Sequence, residues 1–275
     1  MSTRRKSTVL WTVLAATCSG LALTACGGGE TPAGDTAATT PAPAEGGAAP
    51  AGGAPAAGGP SGTATVSGTV AYQGEVPNLR PVSMSADPAC AAKHTEPVPN
   101  SSLVLGDNQA LGNVLVYVKS GLQGGTYTAS APAVIDQRGC VYEPHVIGVL
   151  KGQEVKFLNS DGILHNVHAL PSTNQEFNIA MPAERKEASH TFDQPEDAFR
   201  VKCDVHPWMN AYIRVMEHPF FATTGPDGTF TIPNLPAGTY EIEAWHERLP
   251  AQTQTVTVAD GATGNVAFTF TRPAG

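Results

Sequence analysis

Residues 199–209 read FRVKCDVHPWM, and this stretch carries more chemical information than any other part of the chain. It reads as a β-strand that ends at Cys203, followed by a short loop that contains His206 and Met209. A thiolate, an imidazole and a thioether are soft or borderline metal ligands, whereas magnesium and calcium require oxygen. The loop therefore predicts a transition-metal site, and its ligand types suit copper.

One cysteine, two histidines and a distant axial methionine form the ligand set of a blue-copper electron-transfer site. The loop supplies one histidine, so a second must come from elsewhere, and the metal then ties two strands together. The upstream segment 164–168 offers two candidates, His165 and His168. Side chains three residues apart on one strand lie on opposite faces, so only one of the two can enter the site.

Together the two segments resemble a cupredoxin, most closely one of the amicyanin type. The Cys-x-x-His-x-x-Met spacing of residues 203–209 matches that family's ligand loop, and the likeness covers about residues 133–217. The family's upstream ligand histidine precedes an asparagine, as His165 precedes Asn166. The resemblance implies one copper ion per chain, held by His165, Cys203, His206 and, axially, Met209.

The resemblance also implies roles for the neighbours of the ligands. Asn166 would help to fix the cysteine loop without touching the metal, and His168 would face away. Met209 is either a weak axial ligand or a side chain that packs beneath the loop.

Pro207 and Trp208 lie between two of the implied ligands. In a cupredoxin the loop surrounds the exposed edge of its histidine, which implies that His206 is the ligand nearest solvent. An apolar rim of this kind would form a docking surface for a transient partner. The alternative for Trp208 is a place in the core of the domain.

The mature chain reads as short strands between frequent glycines and prolines, and we expect an all-β fold. Residues 227–242 (DGTFTIPNLPAGTYEI) resemble the strand-turn-strand signature of carboxypeptidase-regulatory-like sandwiches. We therefore predict a Greek-key cupredoxin sandwich at 130–218, inserted in a second, transthyretin/carboxypeptidase-regulatory-like β-sandwich formed by 63–119 plus 220–272. Three successive pieces are the alternative, but each flank has too few strands to close a core alone.

The N-terminus reads as an export signal. Residues 1–25 combine a basic start, a short apolar run and small residues before Cys26. The ending resembles a bacterial lipoprotein signal, which implies lipidation of Cys26; a transmembrane anchor is the alternative. Residues 26–62 are almost entirely Ala, Gly, Pro and Thr, which predicts a disordered tether that spans roughly 30 Å. We expect the protein in the periplasm or at the cell surface, attached to a membrane by its lipid.

The chain contains five cysteines. Cys18 leaves with the signal, Cys26 is the lipid site and Cys203 is the implied copper ligand. Cys90 and Cys140 are left in an oxidising compartment, and we predict that they form a disulfide. Two free thiols are the alternative.

The charge of the chain bears on its partners. The formal net charge is −8, and removal of the signal with Arg4, Arg5 and Lys6 leaves −11. This acidity disfavours nucleic acid and favours partners with basic surfaces. No Ser-His-Asp order, phosphate-binding glycine loop or His-Glu-x-x-His motif is apparent in the sequence. We therefore expect an electron carrier or a copper-binding protein rather than an enzyme.

Three functions fit these observations. The first is single-electron transfer through Cu(I) and Cu(II), with a redox protein such as a c-type cytochrome or a dehydrogenase as the partner. The second is copper storage, delivery or sensing. The third is a scaffold or adhesion protein whose metal only stabilises the fold.

Lipidation gives the first testable prediction. Cys26→Ser removes the acceptor thiol, so the protein should move from the membrane fraction to the soluble fraction of the cell envelope. Cys18→Ser is the matched control, because that cysteine is lost with the signal, and it should leave the protein in the membrane fraction. Immunoblots of the two fractions measure the distribution. A Cys26→Ser protein that stays in the membrane fraction would show that the lipid is not the anchor.

Overall fold

The computed structural model of the protein describes residues 57–272. The predicted signal, the lipid site at Cys26 and most of the tether lie outside the described residues. Within 57–272 the elements are nearly all strands, which confirms the predicted all-β fold class. No helix in this range is long and apolar enough to cross a bilayer.

In chain order, the elements of residues 57–272 are β1 (Ala57–Gly58), β2 (Ala64–Gln73), α1 (Pro88–Ala91), a 3₁₀-helix (Asp107–Gln109), β3 (Leu115–Ser120), β4 (Thr128–Ala129), β5 (Ala133–Arg138), β6 (Val141–Glu143), β7 (Val146–Leu150), β8 (Glu154–Asn159), β9 (His165–Ala169), β10 (Phe177–Met181), β11 (Glu187–Thr191), β12 (Glu196–Lys202), β13 (Asn210–Met216), β14 (Phe221–Thr223), β15 (Thr229–Leu235), β16 (Gly238–Trp245), β17 (Gln252–Val258) and β18 (Thr263–Thr271).

Strands β5 to β13 form two sheets that we call the inserted sandwich. One sheet has the order β10-β9-β12-β13-β7 and the other has the order β11-β8-β5-β6. Alternate side chains of both sheets, such as Phe157, Val167 and Ile213, are fully buried in one shared core. The implied ligands lie on adjacent strands of the five-stranded sheet, because β9 begins at His165 and β12 ends just before Cys203.

The remaining long strands form the outer sandwich, with sheets of order β14-β3-β16-β17 and β15-β2-β18. Its core is separate and contains Val66, Ile242 and Phe268. Strand β2 pairs with β15 and β18, and strand β3 pairs with β14 and β16. Chain from before and after the inserted sandwich therefore meets in both outer sheets, as an insertion requires. The domain limits themselves stay a prediction.

Two segments make contacts outside the part of the fold to which the predicted limits assign them. Residues 82–98 fall within the predicted outer segment 63–119, yet Met84 and Cys90 are buried in the core of the inserted sandwich. We call residues 82–98 the cap segment. At the end of the predicted tether, β1 pairs with β4 and the amide of Gly62 donates to the carbonyl of Asn234. Glycine and alanine make these bonds with the backbone alone, so composition gave no sign of them.

The cap segment is joined to the inserted sandwich by a disulfide between Cys90 and Cys140, the pair that the sequence analysis expected. Both cysteines are fully buried. Cys140 has a φ of +54°, a left-handed conformation that residues other than glycine rarely adopt. The disulfide and two hydrogen bonds to Asp161, described below, hold the turn in this conformation.

Loss of this cross-link should destabilise the protein. Replacement of both Cys90 and Cys140 by alanine is expected to lower the free energy of unfolding of the metal-free protein by about 2–4 kcal/mol, because the unfolded chain regains loop entropy. Urea unfolding measures the difference. Cys203→Ala is the control, since it removes a buried thiol without breaking a cross-link. If the double variant loses no more stability than this control, the disulfide does not brace the fold.

Candidate metal centre

The cysteine loop is a tight turn between β12 and β13. The amide of Cys203 donates to the carbonyl of Met209 at 3.1 Å, and the amide of Met209 donates to the carbonyl of His206 at 2.9 Å. These bonds close the loop on itself and turn the side chains of all three residues inward, where each is at most 1% exposed.

The upstream histidine follows a second tight turn, between β8 and β9. The buried side chain of Asn159 fixes this turn, because its amide donates to the carbonyl of Ile163 at 2.8 Å and its oxygen accepts from the amide of Gly162 at 3.2 Å. Gly162 has a φ of +67°, which glycine adopts without strain. The turn places His165 at the start of β9, fully buried.

The two turns bring three ligand atoms together. The Nδ1 atoms of His165 and His206 lie 2.9 Å apart, and the Sγ of Cys203 lies 3.8 Å from the Nδ1 of His206. The ligand atoms of the three residues all lie within 4.8 Å of one another. Of the described cysteines, Cys203 is the one outside a disulfide. Two imidazoles and one thiol therefore face a common point in the interior.

Each histidine has a carboxylate behind it. The Nε2 of His165 donates to the Oδ2 of Asp161 at 3.0 Å, and the Nε2 of His206 donates to the Oδ2 of Asp87 at 2.9 Å. A carboxylate only accepts, so these partners place the proton of each ring on Nε2. With both rings neutral the two Nδ1 lone pairs would face each other, an arrangement that is repulsive unless a proton or a metal ion lies between them. The residues therefore fit a bound metal ion.

The buried carboxylate of Asp161 has several donors. It accepts the amides of Gly139 and Cys140, both at 2.8 Å, and pairs with the Nζ of Lys93 at 3.2 Å. Burial alone would raise the pKa of Asp161, but these bonds and the one from His165 lower it to about 2. Asp161 therefore stays charged and keeps His165 in place.

The surroundings of Cys203 lower the pKa of its thiol. Burial would raise the pKa of the Cys203 thiol, but the bond to His165 and the backbone groups of Asn166, Val205 and His206 lower it below its ordinary value. For His165 burial would lower the pKa, but the bonds to Asp161 and Cys203 raise it. The thiolate is the form of cysteine that binds metal, so the lowered pKa of Cys203 is in the direction that favours metal binding.

Asn166 contacts the cysteine loop as the sequence analysis expected. Its side-chain oxygen accepts the amide of Asp204 at 2.6 Å. His168 points away from the site, where its ring contacts the carboxylates of Asp204 and Glu176. Of the two upstream candidates, only His165 lies with Cys203 and His206.

The expected exposure of His206 is wrong in this structure. The residue as a whole is 1% exposed, because Asp87 and the disulfide of the cap segment cover the outer edge of the ring. The Nε2 of His206 lies 3.7 Å from the Sγ of Cys90. Met209 is also fully buried, which fits both an axial ligand and a side chain packed beneath the loop. Its role as the axial ligand therefore stays a prediction.

The two residues predicted to form the docking surface differ in their exposure to solvent. Pro207 is exposed, whereas Trp208 is half-buried. The indole nitrogen of Trp208 donates to the carbonyl of Cys140 at 3.0 Å, and its ring centre lies 5.0 Å from that of His206. Trp208 therefore supports the site from within. Two large apolar side chains next to the ligands are exposed, Leu164 at 51% and Val205 at 44%.

Other histidines and cysteines do not form a separate metal cluster within residues 57–272. The further groups with metal-binding spacing are Asp87, Cys90 and His206, and Cys140, Asp161 and His165. Both share residues with the centre, and both require a cysteine that the disulfide occupies. His145 is instead paired with Glu247 at 2.5 Å, and the amide of Arg248 donates to His246.

Sequence reasoning missed the two carboxylates behind the histidines. Asp161 comes four residues before His165 in an Asp-Gly turn, so proximity to a candidate ligand could have drawn attention to it. Asp87 lies 119 residues from His206 and carried no signal in the sequence.

Comparison with known proteins finds similarity to two groups, each over a limited part of the chain. Residues 206–271 match the family model of the carboxypeptidase regulatory-like domain. That range contains β14 to β18 of the outer sandwich and also β13 of the inserted one. No curated protein sequence matches the chain significantly.

Similar solved structures are cupredoxins. The Cu(I) form of the M51A mutant of amicyanin is 25% identical, with 32% of this chain and 86% of that chain covered and a TM-score of 0.28. A purple cupredoxin from Nitrosopumilus maritimus is 20% identical, with 30% of this chain and 99% of that chain covered and a TM-score of 0.26. TM-scores below 0.5 are too low to establish a shared fold on their own.

Proposed function

We propose that the protein binds one copper ion at His165, Cys203 and His206, with Met209 as the axial ligand, and carries single electrons. The observation that supports this most strongly is the convergence of two Nδ1 atoms and one Sγ on a common buried point. A bound copper ion would supply the Cu(I)/Cu(II) couple, and no substrate bond would be made or broken.

The residues of the chain would serve electron transfer by holding the site rigid. The closed loop fixes Cys203 and His206, Asp161 fixes His165, and the buried surroundings exclude water. Groups held in one arrangement move little between oxidation states, which is what a fast one-electron carrier requires.

We place the protein in the cell envelope, attached through Cys26, with a redox protein as its partner. A basic partner surface, such as that of a c-type cytochrome, would complement the net charge of −11 that follows from removal of the signal. The exposed side chains of Leu164, Val205 and Pro207 flank the ligands and would form the docking surface. This surface replaces the predicted pair Pro207 and Trp208, because Trp208 is tied to Cys140.

Copper storage or delivery is the second candidate. The observation that favours it is the burial of His206 beneath the cap segment, which lengthens the path from the metal to a partner. The two candidates differ in what the protein gives to its partner, an electron or the metal itself.

The ligand set predicts a colour. Oxidised, copper-loaded protein should have a strong visible thiolate-to-copper absorption band, and Cys203→Ser should abolish it because serine provides no thiolate. His165→Gln should also lose the band, whereas the matched control His168→Gln should keep it. Absorption spectra after copper titration measure this. A colourless wild-type complex, or a band that survives Cys203→Ser, would contradict the assignment.

The docking surface predicts a kinetic effect. Val205→Lys removes an apolar contact and adds a charge that repels a basic partner, so it should slow electron exchange with a c-type cytochrome at least tenfold at low salt. Stopped-flow mixing of the reduced protein with oxidised cytochrome measures the rate. Val76→Lys is the matched control, an equally exposed valine outside both ligand loops, and should change the rate little.

Equal rates for the two lysine variants would place the docking surface elsewhere. If wild-type protein exchanges no electrons but transfers copper to an acceptor, the delivery function is favoured instead.

A further inference from the structure

The cap segment reaches the metal centre from the outer sandwich. It lies between β2 and β3, and the amide of Val82 donates to the carbonyl of Val98 at 2.9 Å, so its two ends are held together. Met84 and Cys90 anchor it in the inserted core, and the disulfide to Cys140 fixes it there. A segment that connects two strands of the outer sandwich, and that packs in the core of the inserted one, thus covers the centre.

Asp87 is the residue of the cap segment that touches a ligand. Its Oδ1 accepts the amides of Ala89 and Cys90, at 2.8 and 3.4 Å, and so caps the short helix α1. Its Oδ2 accepts the Nε2 proton of His206 at 2.9 Å. One carboxylate therefore binds both the cap segment and the back of a ligand histidine. Its side chain is 32% exposed, whereas that of His206 is 2% exposed.

We propose that Asp87 is a positioning residue for the metal centre: it holds the His206 ring with Nδ1 toward the metal and strengthens that nitrogen as a donor. The proposal rests on the proposed copper function. A carboxylate behind an imidazole fixes its tautomer and raises its basicity. A more basic imidazole favours the more highly charged Cu(II), so the cap segment sets the redox balance of the centre.

The alternative is that Asp87 serves only as a helix cap. Asp87→Asn separates the two roles, because asparagine is as good an N-cap as aspartate but has an amide in place of one carboxylate oxygen. An asparagine that still caps α1 turns its NH₂ group toward His206 and can no longer accept the Nε2 proton. Asp107→Asn is the matched control, since it removes an exposed carboxylate from the same β2–β3 connection.

The first measurement uses the metal-free protein. Nitrogen-15 NMR of the histidine rings should show His206 with its proton on Nε2 in wild type and in Asp107→Asn, and with the proton moved to Nδ1 in Asp87→Asn. This readout does not depend on copper, so it tests the positioning role even if the proposed function fails. A wild-type His206 with its proton on Nδ1 would overturn the proposal.

The second measurement uses the copper-loaded protein. Asp87→Asn should weaken Cu(II) binding relative to Cu(I) by about tenfold, the lower end of the effect of losing such a partner. For a one-electron couple this raises the reduction potential by about 59 mV. Asp107→Asn should keep the wild-type potential. If the two variants have the same potential and equal thermal stability, Asp87 has no role at the metal.

Discussion

Two buried imidazoles face each other because each has a carboxylate behind it, and the metal centre depends on this arrangement. The Nδ1 atoms of His165 and His206 lie 2.9 Å apart, and Asp161 and Asp87 accept the protons on the opposite sides of the rings. Two lone pairs at this distance in a dry interior repel each other, and the interior provides little dielectric screening. A proton or a metal ion between them removes the repulsion, and Cys203 in its thiolate form would add a negative charge beside a metal ion held there.

The two carboxylates also belong to a chain of contacts that joins the turn at Cys140 to the cap segment. Asp161 binds the turn at Cys140, Cys140 is bonded to Cys90, and Cys90 belongs to the cap segment that carries Asp87. Asp161 is thus held by the turn at Cys140, which it stabilises, and Asp87 is held by the cap segment, which it stabilises. The left-handed Cys140 lies at the junction, where the disulfide, Asp161 and Trp208 all bind the same turn.

The sequence was sufficient to predict those features of the fold and of the candidate site that depend on a local pattern of residues. Strand alternation predicted the all-β class. The spacing of Cys203, His206 and Met209 predicted that these three residues share one loop after the strand. Elimination among the cysteines predicted the pairing of Cys90 with Cys140. His165 was preferred to His168 by strand geometry and by the asparagine that follows it, and the structure brings only His165 to the site.

The sequence was insufficient where contacts join distant segments. The cap segment contains no long strand or helix, so nothing marked it as part of the inserted core, and the exposure of His206 was therefore overestimated. Trp208 fits an apolar rim by composition, but its indole bond to Cys140 depends on the folded turn. The pairing of Ala57–Gly58 with β4 uses only backbone groups, which composition does not encode.

X-ray absorption at the copper edge of the loaded protein tests the proposed ligand set most directly. We expect a first coordination shell with one sulfur at thiolate distance and two imidazole nitrogens, and a shell without that sulfur in Cys203→Ser. A shell of oxygen atoms, or one with the same sulfur content in both proteins, would contradict it.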